Sequence, residues 1–412
     1  MKRILVLLFI ISLLAAFPVR GNEPKPPKPP KPAEHPQPAI APSQHEEGAG
    51  QTMTFNVNPG EDLEVDTSGD IEVKTWDKNE VLVNAMDSDE ESRLSSTRVG
   101  KIVRVNSHGE YADISITVPS RFNIDVVTSS GEIQFKGAIT GMINASTGGG
   151  DIDMDNATGE VDLKTSGGTI NIKDMDGNAQ LHSSGGEIYV GRVTGNLDIF
   201  SGGGDLSLND VGKNLDAKTG GGNIDAGNVG GTATLSTGGG DVSIGTVKGK
   251  LNAGTGGGSI SAGKVESSVT AKTSGGDIEL GGATGAVIAR SSGGSITVDD
   301  MVGTLDASTS GGDVMAKLRP TGIGPNSIAS AGGDITLYIP ETAKVTIDAV
   351  IRIRGRWTTR SEESEIQSDF KATSYVKDED QSEVRGKYAI NGGGEQIILE
   401  TVNSNITIRI LK

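Results

Sequence analysis

The sequence predicts an all-β protein, a single-stack parallel β-solenoid of ~18-residue coils with irregular β caps at both ends. Three observations carry that prediction. Aliphatic residues follow successive glycine turns at Ile152, Ile170, Ile188, Leu206, Ile224, Val242, Ile260, Ile278, Ile296 and Val314, with a spacing of 18 throughout. A fixed period of this size is the signature of a solenoid. Apolar residues alternate within each period, at Ile152 and Met154 and again at Val161 and Leu163, the pattern of strands with one buried face. Of the 412 residues, 60 are Gly and only 3% are aromatic, and glycine this frequent without a collagen repeat belongs to turns recurring once or twice per coil.

One repeat runs from Asp151 to Gly168, with one turn at Thr158-Gly159 and another at Ser166-Gly167-Gly168. The glycines there are expected to adopt positive φ at no steric cost. Two strands per coil suggest a flattened solenoid, with like residues stacked ~4.8 Å apart. The slot of Leu163 reads Leu181, Ile199, Ala217, Leu235, Ala253, Ala271, Ala289 and Ala307, which suggests a core thinning toward the C-terminus. The slot of Thr165 holds Ser or Thr through Thr309, and that of Gly167 holds Gly through Gly311. A lone coil buries about five small apolar side chains, at ~1.5–3 kcal/mol each. Ordering its backbone costs on the order of 1–2 kcal/mol per residue. Stability must therefore come from stacking, with capped ends.

In chain order, residues 1–21 read as a secretory signal peptide: Lys2 and Arg3 precede the apolar run Ile4 to Phe17, which is shorter than the ~20 residues a spanning helix needs. Residues 22–50 form a Pro-rich disordered spacer. Residues 51–130 carry irregular β coils that form an N-terminal cap, with a charged loop from Asp87 to Ser96. Residues 131–318 are the regular repeats. Residues 319–412 form a C-terminal β cap, in which Arg352, Arg354 and Arg356 share one strand face and a charged, polar loop spans Ser361 to Glu383. No segment of the mature chain reads as a transmembrane helix.

The position before each leading aliphatic is also patterned: Asp151, Thr169, Glu187, Asp205, Asn223, Asp241, Ser259, Asp277, Ser295, Asp313. From Asp205 onward, acid and neutral residues alternate. Carboxylates on adjacent rungs repel by ~1 kcal/mol in water, and a neutral spacer about halves that. Two readings follow: a solvated face spaced to limit repulsion, or a cation- or ligand-binding ladder at Asp151, Glu187, Asp205, Asp241, Asp277 and Asp313.

The formal net charge of −17 argues against nucleic acid or an anionic membrane surface as a partner and leaves room for loose divalent cation binding. The absence of cysteine excludes disulfides and thiolate metal sites. Four histidines, His35, His45, His108 and His182, have no partner at metal-ligand spacing. The glycine triplets are followed by no Lys-Ser/Thr, so they are not phosphate loops. The calcium-binding nonapeptide pattern is met in one turn of the coil at best, because the other usually has a single glycine and carries Lys213 or Ser267 in two coils. No cofactor is implied.

The two ends of the array resemble a known family. Phe55-Asn56-Val57 followed by Asp70-Ile71-Glu72-Val73-Lys74-Thr75-Trp76-Asp77 is similar to its N-terminal motif. Ile366-Gln367-Ser368-Asp369-Phe370 followed by Gly392-Gly393-Gly394-Glu395 through Ile406 is similar to its C-terminal one, with Ser404-Asn405 where the family has Gly-Asp. These stretches resemble the bacterial adhesin-type DUF4097 β-strand repeat proteins. The resemblance spans roughly residues 51 to 412. It implies a β-solenoid and a cell-envelope location, and it supplies no catalytic residues. The expectation is an exported protein of the periplasm or cell surface with a structural or adhesive role and no enzymatic activity. Its ladders would meet glycans, cell-wall polymers or another envelope protein. Two alternatives stay open: a polysaccharide-acting β-helix enzyme, with Arg352, Arg354, Arg356, Glu362 and Glu363 as the region where a site could sit, and a periplasmic scaffold or envelope-stress partner docking through its caps.

Overall fold

The computed structural model describes residues 52–85, 93–108, 113–354, 364–377 and 382–412, all within a compact unit spanning Gln44–Lys412. The signal-peptide and spacer readings lie outside the described residues. So do residues 87–92 of the charged loop near the N-terminus, Arg356, Glu362 and Glu363. The rest of that loop, Arg93–Ser96, is not loop but the start of the strand Arg93–Val99. Within the C-terminal charged stretch, Ile366–Ser368 and Ser374–Lys377 are strands.

The described chain is all β, and its repeats stack as in-register parallel windings. Ile152 pairs with Ile170, Ile170 with Ile188, Ile188 with Leu206, and the same step continues to Val314 and Ile335. The second strand of each winding repeats this, from Leu163 on Leu181 to Ala289 on Ala307. A third column was not expected. Met175, Val193, Val211, Val229, Val247 and Val265 stack through single parallel bridges and are buried. The winding therefore has three inward-facing sides rather than two. A lone residue between turns shows no alternation, so period-two reading passes over it.

The aliphatic slots form one continuous core. Its filling thins as Leu gives way to Ala. The early windings place two large residues in the paired slots, Met154 with Leu163 and Ile172 with Leu181, whereas later ones place a large residue with a small one, Leu208 with Ala217, Leu235 with Ala226, Ile244 with Ala253 and Leu280 with Ala289, and one winding holds Ala262 with Ala271, all buried.

Glycine at these corners serves contact rather than dihedral freedom, and none of Gly167, Gly168, Gly202, Gly203, Gly204, Gly220, Gly221 and Gly222 has positive φ. A Cβ on Gly222 would lie 2.3 Å from the carbonyl oxygen of Gly204 in the winding below, whereas one on Gly221 would meet nothing within 4 Å. A Cβ on Gly220 would likewise lie 2.1 Å from Gly202 O, so the first and third glycines of this triplet are the ones that stacking demands, and the middle one is not. The opposite corner does use positive φ in the early windings, with Gly159 at φ 126°.

The Ser/Thr row is buried, not wet. Thr237 Oγ1 donates to Gly222 O at 2.7 Å and accepts from Gly240 N at 3.3 Å. Thr147, Thr165, Ser183, Ser201, Thr219, Thr255, Thr273, Ser291 and Thr309 repeat the donation to a carbonyl one winding below. Each hydroxyl joins two windings and satisfies a buried peptide group, worth roughly 0.5–1.5 kcal/mol net.

Both ends are closed by a winding inserted out of chain order. At the N-terminal end, Asp62–Thr67 lies between the later strands Ile102–His108 and Asn123–Thr128, parallel to both. Ile71–Trp76 likewise lies between Ile114–Pro119 and the strand starting at Ile133. At the C-terminal end, Glu395–Val402 lies between Asn326–Ser330 and Val345–Arg352, and Ile406–Ile410 between Ile335–Ile339 and Ile366–Ser368. Antiparallel strands then cover the outermost windings, Arg93–Val99 on Ile102–His108 and Glu383–Ile390 on Val345–Arg352. Such caps keep the parallel stack from offering a long open edge.

Candidate functional site

The predicted acidic ladder is present, and its geometry is that of a staple. Asp205 Oδ1 accepts from the amide of Asn223 at 2.7 Å, Asn223 Oδ1 from Asp241 N at 2.8 Å, and Asp241 Oδ1 from Ser259 N at 2.7 Å. Ser259 Oγ accepts from Asp277 N at 3.2 Å, Asp277 Oδ1 from Ser295 N at 2.6 Å, and Ser295 Oγ from Asp313 N at 3.2 Å. Asp151 and Asp313 do the same toward Thr169 and Asp334. This explains the composition of the slot: Asp, Asn and Ser all hold a short side-chain acceptor at the right height for the next amide. The serine links are the longer ones, since Ser reaches less far. Glu187, one methylene longer, departs from the row and accepts from the hydroxyl of Tyr189.

Each Asp of this row keeps one carboxylate oxygen for solvent or ligand. From Asp205 to Asp313 the acids stand two windings apart, about 10 Å. A calcium ion takes six to eight oxygens at about 2.3–2.6 Å, so two such groups cannot share one. Among the described residues, no three His, Asp or Glu side chains are grouped to hold a metal.

A different face was not singled out in the sequence. A trough of about 990 Å3 runs along the stack beside the corner glycines, from Met142 to Thr234. Its floor is the strand backbone at Val161, Ala179, Leu197 and Leu215, whose side chains are buried in the core, and its lining repeats every 18 residues. One wall is an amide ladder. Asn178 Nδ2 donates to Glu160 Oε1 at 2.9 Å, Asn196 Nδ2 to Asn178 Oδ1 at 3.2 Å, and Asn214 Nδ2 to Asn196 Oδ1 at 3.1 Å. Asn178, Asn196 and Asn214 Oδ1 also accept the backbone amides of Asn196, Asn214 and Thr232. The wall is rigid, and the second N–H of each amide is left over. The other wall is Asn144, Asp162, Gln180, Asp198, Asp216 and Thr234. Lys164 pairs with Asp162 at 2.7 Å and Lys218 with Asp216 at 2.9 Å. Among the described residues, the side chains of Asn144, Gln180 and Asp198 have no protein hydrogen-bond partner. In the next outward column His182 and Phe200 stack at 4.9 Å, with Phe200 39% exposed. The sequence carried a readable signal for this face, the 18-residue spacing of Asn178, Asn196 and Asn214.

In the C-terminal cap, Arg352 reaches Glu400 at 3.2 Å, and the backbone amide of Arg354 donates to Asn403 Oδ1 at 2.8 Å. His182 is engaged with Phe200 rather than with a carboxylate. Among the described residues, no helix is long and apolar enough to cross a membrane.

Residues 51–230 match the family model described as Toastrack DUF4097. The match takes in the N-terminal motif from Phe55 to Asp77 and the trough residues from Met142 to Asp216, while Thr232, Thr234 and the C-terminal motif lie beyond it. No curated protein matches the chain. Two solved structures are similar. One is a "putative cell adhesion protein" from Clostridium sporogenes, with 9% identity over 87% of this chain and 99% of that one, at a TM-score of 0.14. The other is a "putative adhesin" from Bacteroides fragilis, with 12% identity over 87% of this chain and 96% of that one, also at a TM-score of 0.14.

Proposed function

We propose, with the Toastrack match over residues 51–230 as premise, that this chain is an exported cell-envelope β-solenoid with a structural and adhesive role. It binds extended polymers through repeated polar rows and performs no chemistry on them. The observation that carries the reading is the trough from Met142 to Thr234, where the same polar positions return on successive rungs. Each contact is weak, and repetition along a rigid rod supplies avidity. The non-catalytic part rests on sameness: carboxylates recur at equivalent positions, whereas catalysis needs one unique constellation. Export rests on the charged and apolar start of the chain, Lys2 to Phe17.

Two measurements test this. Protease added to intact cells should degrade the chain if it stands at the surface, and after opening of the outer layer if it is periplasmic; a chain found only in the cytosol contradicts export. The purified chain should bind cells or wall material, and excising two windings from the trough should weaken that binding. Retention no better than that of an inert rod of the same size would remove the adhesive role.

A further inference from the structure

We infer that the trough from Met142 to Thr234 is a binding site for a linear glycan chain that carries no acidic groups, lying parallel to the rod axis. The inference rests on the adhesive reading above and names its ligand class and site. Three features of the trough select that class. First, the free hydrogen-bonding groups are laid out as a line. The leftover amide N–H groups of Asn178, Asn196 and Asn214 form one side, and the unpartnered side chains of Asn144, Gln180 and Asp198 form the other. A polymer whose repeating unit is short and offers both donors and acceptors can meet them in series. Hydroxyl-bearing sugar units do this, whereas an irregular globular protein surface offers its donors and acceptors at unequal spacings.

Second, the side chains of Val161, Ala179, Leu197 and Leu215 are turned into the core, so the floor between the two walls is a flat run of strand backbone on which the flat side of a sugar ring can lie. Third, the electrostatics choose among glycans. Glu160, Asp162, Asp198 and Asp216 place four carboxylates in the trough, and only Asp162 and Asp216 have lysines beside them. With a chain charge of −17 behind them, these groups repel polyanions such as uronate-rich chains. They favour hydroxyl donors, and an amino sugar would gain further. The wall is preorganised, because the asparagine ladder is already fixed by its own hydrogen bonds, so little ordering remains to be done on binding.

Isothermal titration of the full chain with cello-oligosaccharides, chito-oligosaccharides and oligogalacturonates of matched length tests the assignment. The two uncharged series should bind, more tightly with length until the trough is filled, and the oligogalacturonates should not. The double variant Gln180→Ala/Asp198→Ala should lose at least about tenfold in affinity, while its circular dichroism and melting stay those of the parent, because neither side chain hydrogen-bonds or ion-pairs with another protein group. A second variant on another face, Asp225→Ala/Ser243→Ala, should bind as the parent does. Absence of binding by the uncharged series, equal binding of oligogalacturonates, or binding unchanged in Gln180→Ala/Asp198→Ala would each overturn the assignment. Adhesion to wall material measured in parallel separates the two readings. If the parent and Gln180→Ala/Asp198→Ala adhere equally, the adhesive role stands and the trough assignment falls. If neither adheres, both fall.

Discussion

At Gly222 and Thr237, single atoms decide whether two windings can touch. Gly222 sits where any Cβ would meet a carbonyl oxygen at 2.3 Å, backbone that cannot move aside. Gly222→Ala is therefore expected to cost at least about 1–3 kcal/mol, as overpacking does. Gly221→Ala should stay within about 0.5 kcal/mol, because its Cβ points into open space. Denaturation midpoints of the two variants check this, and equal effects would contradict it. Thr237→Val keeps the shape but removes the donor to Gly222 O. It should cost about 0.5–1.5 kcal/mol, the net worth of one hydrogen bond to a half-buried carbonyl. Thr237→Ser should be milder, since Ser183, Ser201 and Ser291 fill the same slot with the same bond. The row at Thr165 was legible in the sequence as a repeat of Ser and Thr but not as part of the buried frame, because residue type alone does not tell an exposed hydroxyl from one that bridges two backbones.

The elements that were hardest to read are the inserted windings. A strand that pairs with two later strands leaves no trace in a period, so residues 51–130 read only as irregular coils. Glu72 shows how such a winding is fixed. Its carboxylate reaches Lys136 and Lys74, each at 2.6 Å, and takes a hydrogen bond from Ser115 Oγ at 3.1 Å. Ser115 and Lys136 belong to the windings on either side, so one side chain ties three windings together. The bond to Lys136 first, then that to Lys74, holds the Glu72 carboxyl at about 2, against an ordinary 4.5. A depressed folded-state value means the contribution is complete above the ordinary value and is lost as pH falls toward about 2. The parent should therefore exceed Glu72→Gln in stability near neutral pH, with the gap closing as the pH falls through that window. Denaturant titrations at a series of pH values measure it, and a constant gap would contradict the assignment. By contrast, the regular windings were legible almost residue by residue. Identical slots impose identical environments, and the aliphatic spacing of 18 transfers directly into the pairing of Ile152 with Ile170 and its successors.

For the described rod as a whole, interior windings are interchangeable and ends are not. Removing residues 223–258, two full windings, preserves every slot and should leave a shorter folded rod. Removing residues 393–412 takes out the winding lodged between Asn326–Ser330 and Val345–Arg352 and opens strand edges on both sides of the gap. That deletion, though shorter, should aggregate, and size-exclusion chromatography of the two deletions decides. The acidic ladder was legible as a pattern but not as a role. The sequence showed Asp205, Asp241, Asp277 and Asp313 in line, but only the register shows that each carboxylate holds the amide of the next winding. The most direct test of stacking is a pair of distances. The chain has no cysteine, so spin labels can be placed cleanly at Asn171 with Ser261, five windings apart, and at Asn171 with Thr297, seven windings apart. In-register windings require separations near 24 Å and 34 Å, on the order of 4.8 Å per rung. Distances that fail to grow in that proportion, or that scatter broadly, would contradict a single stack of windings.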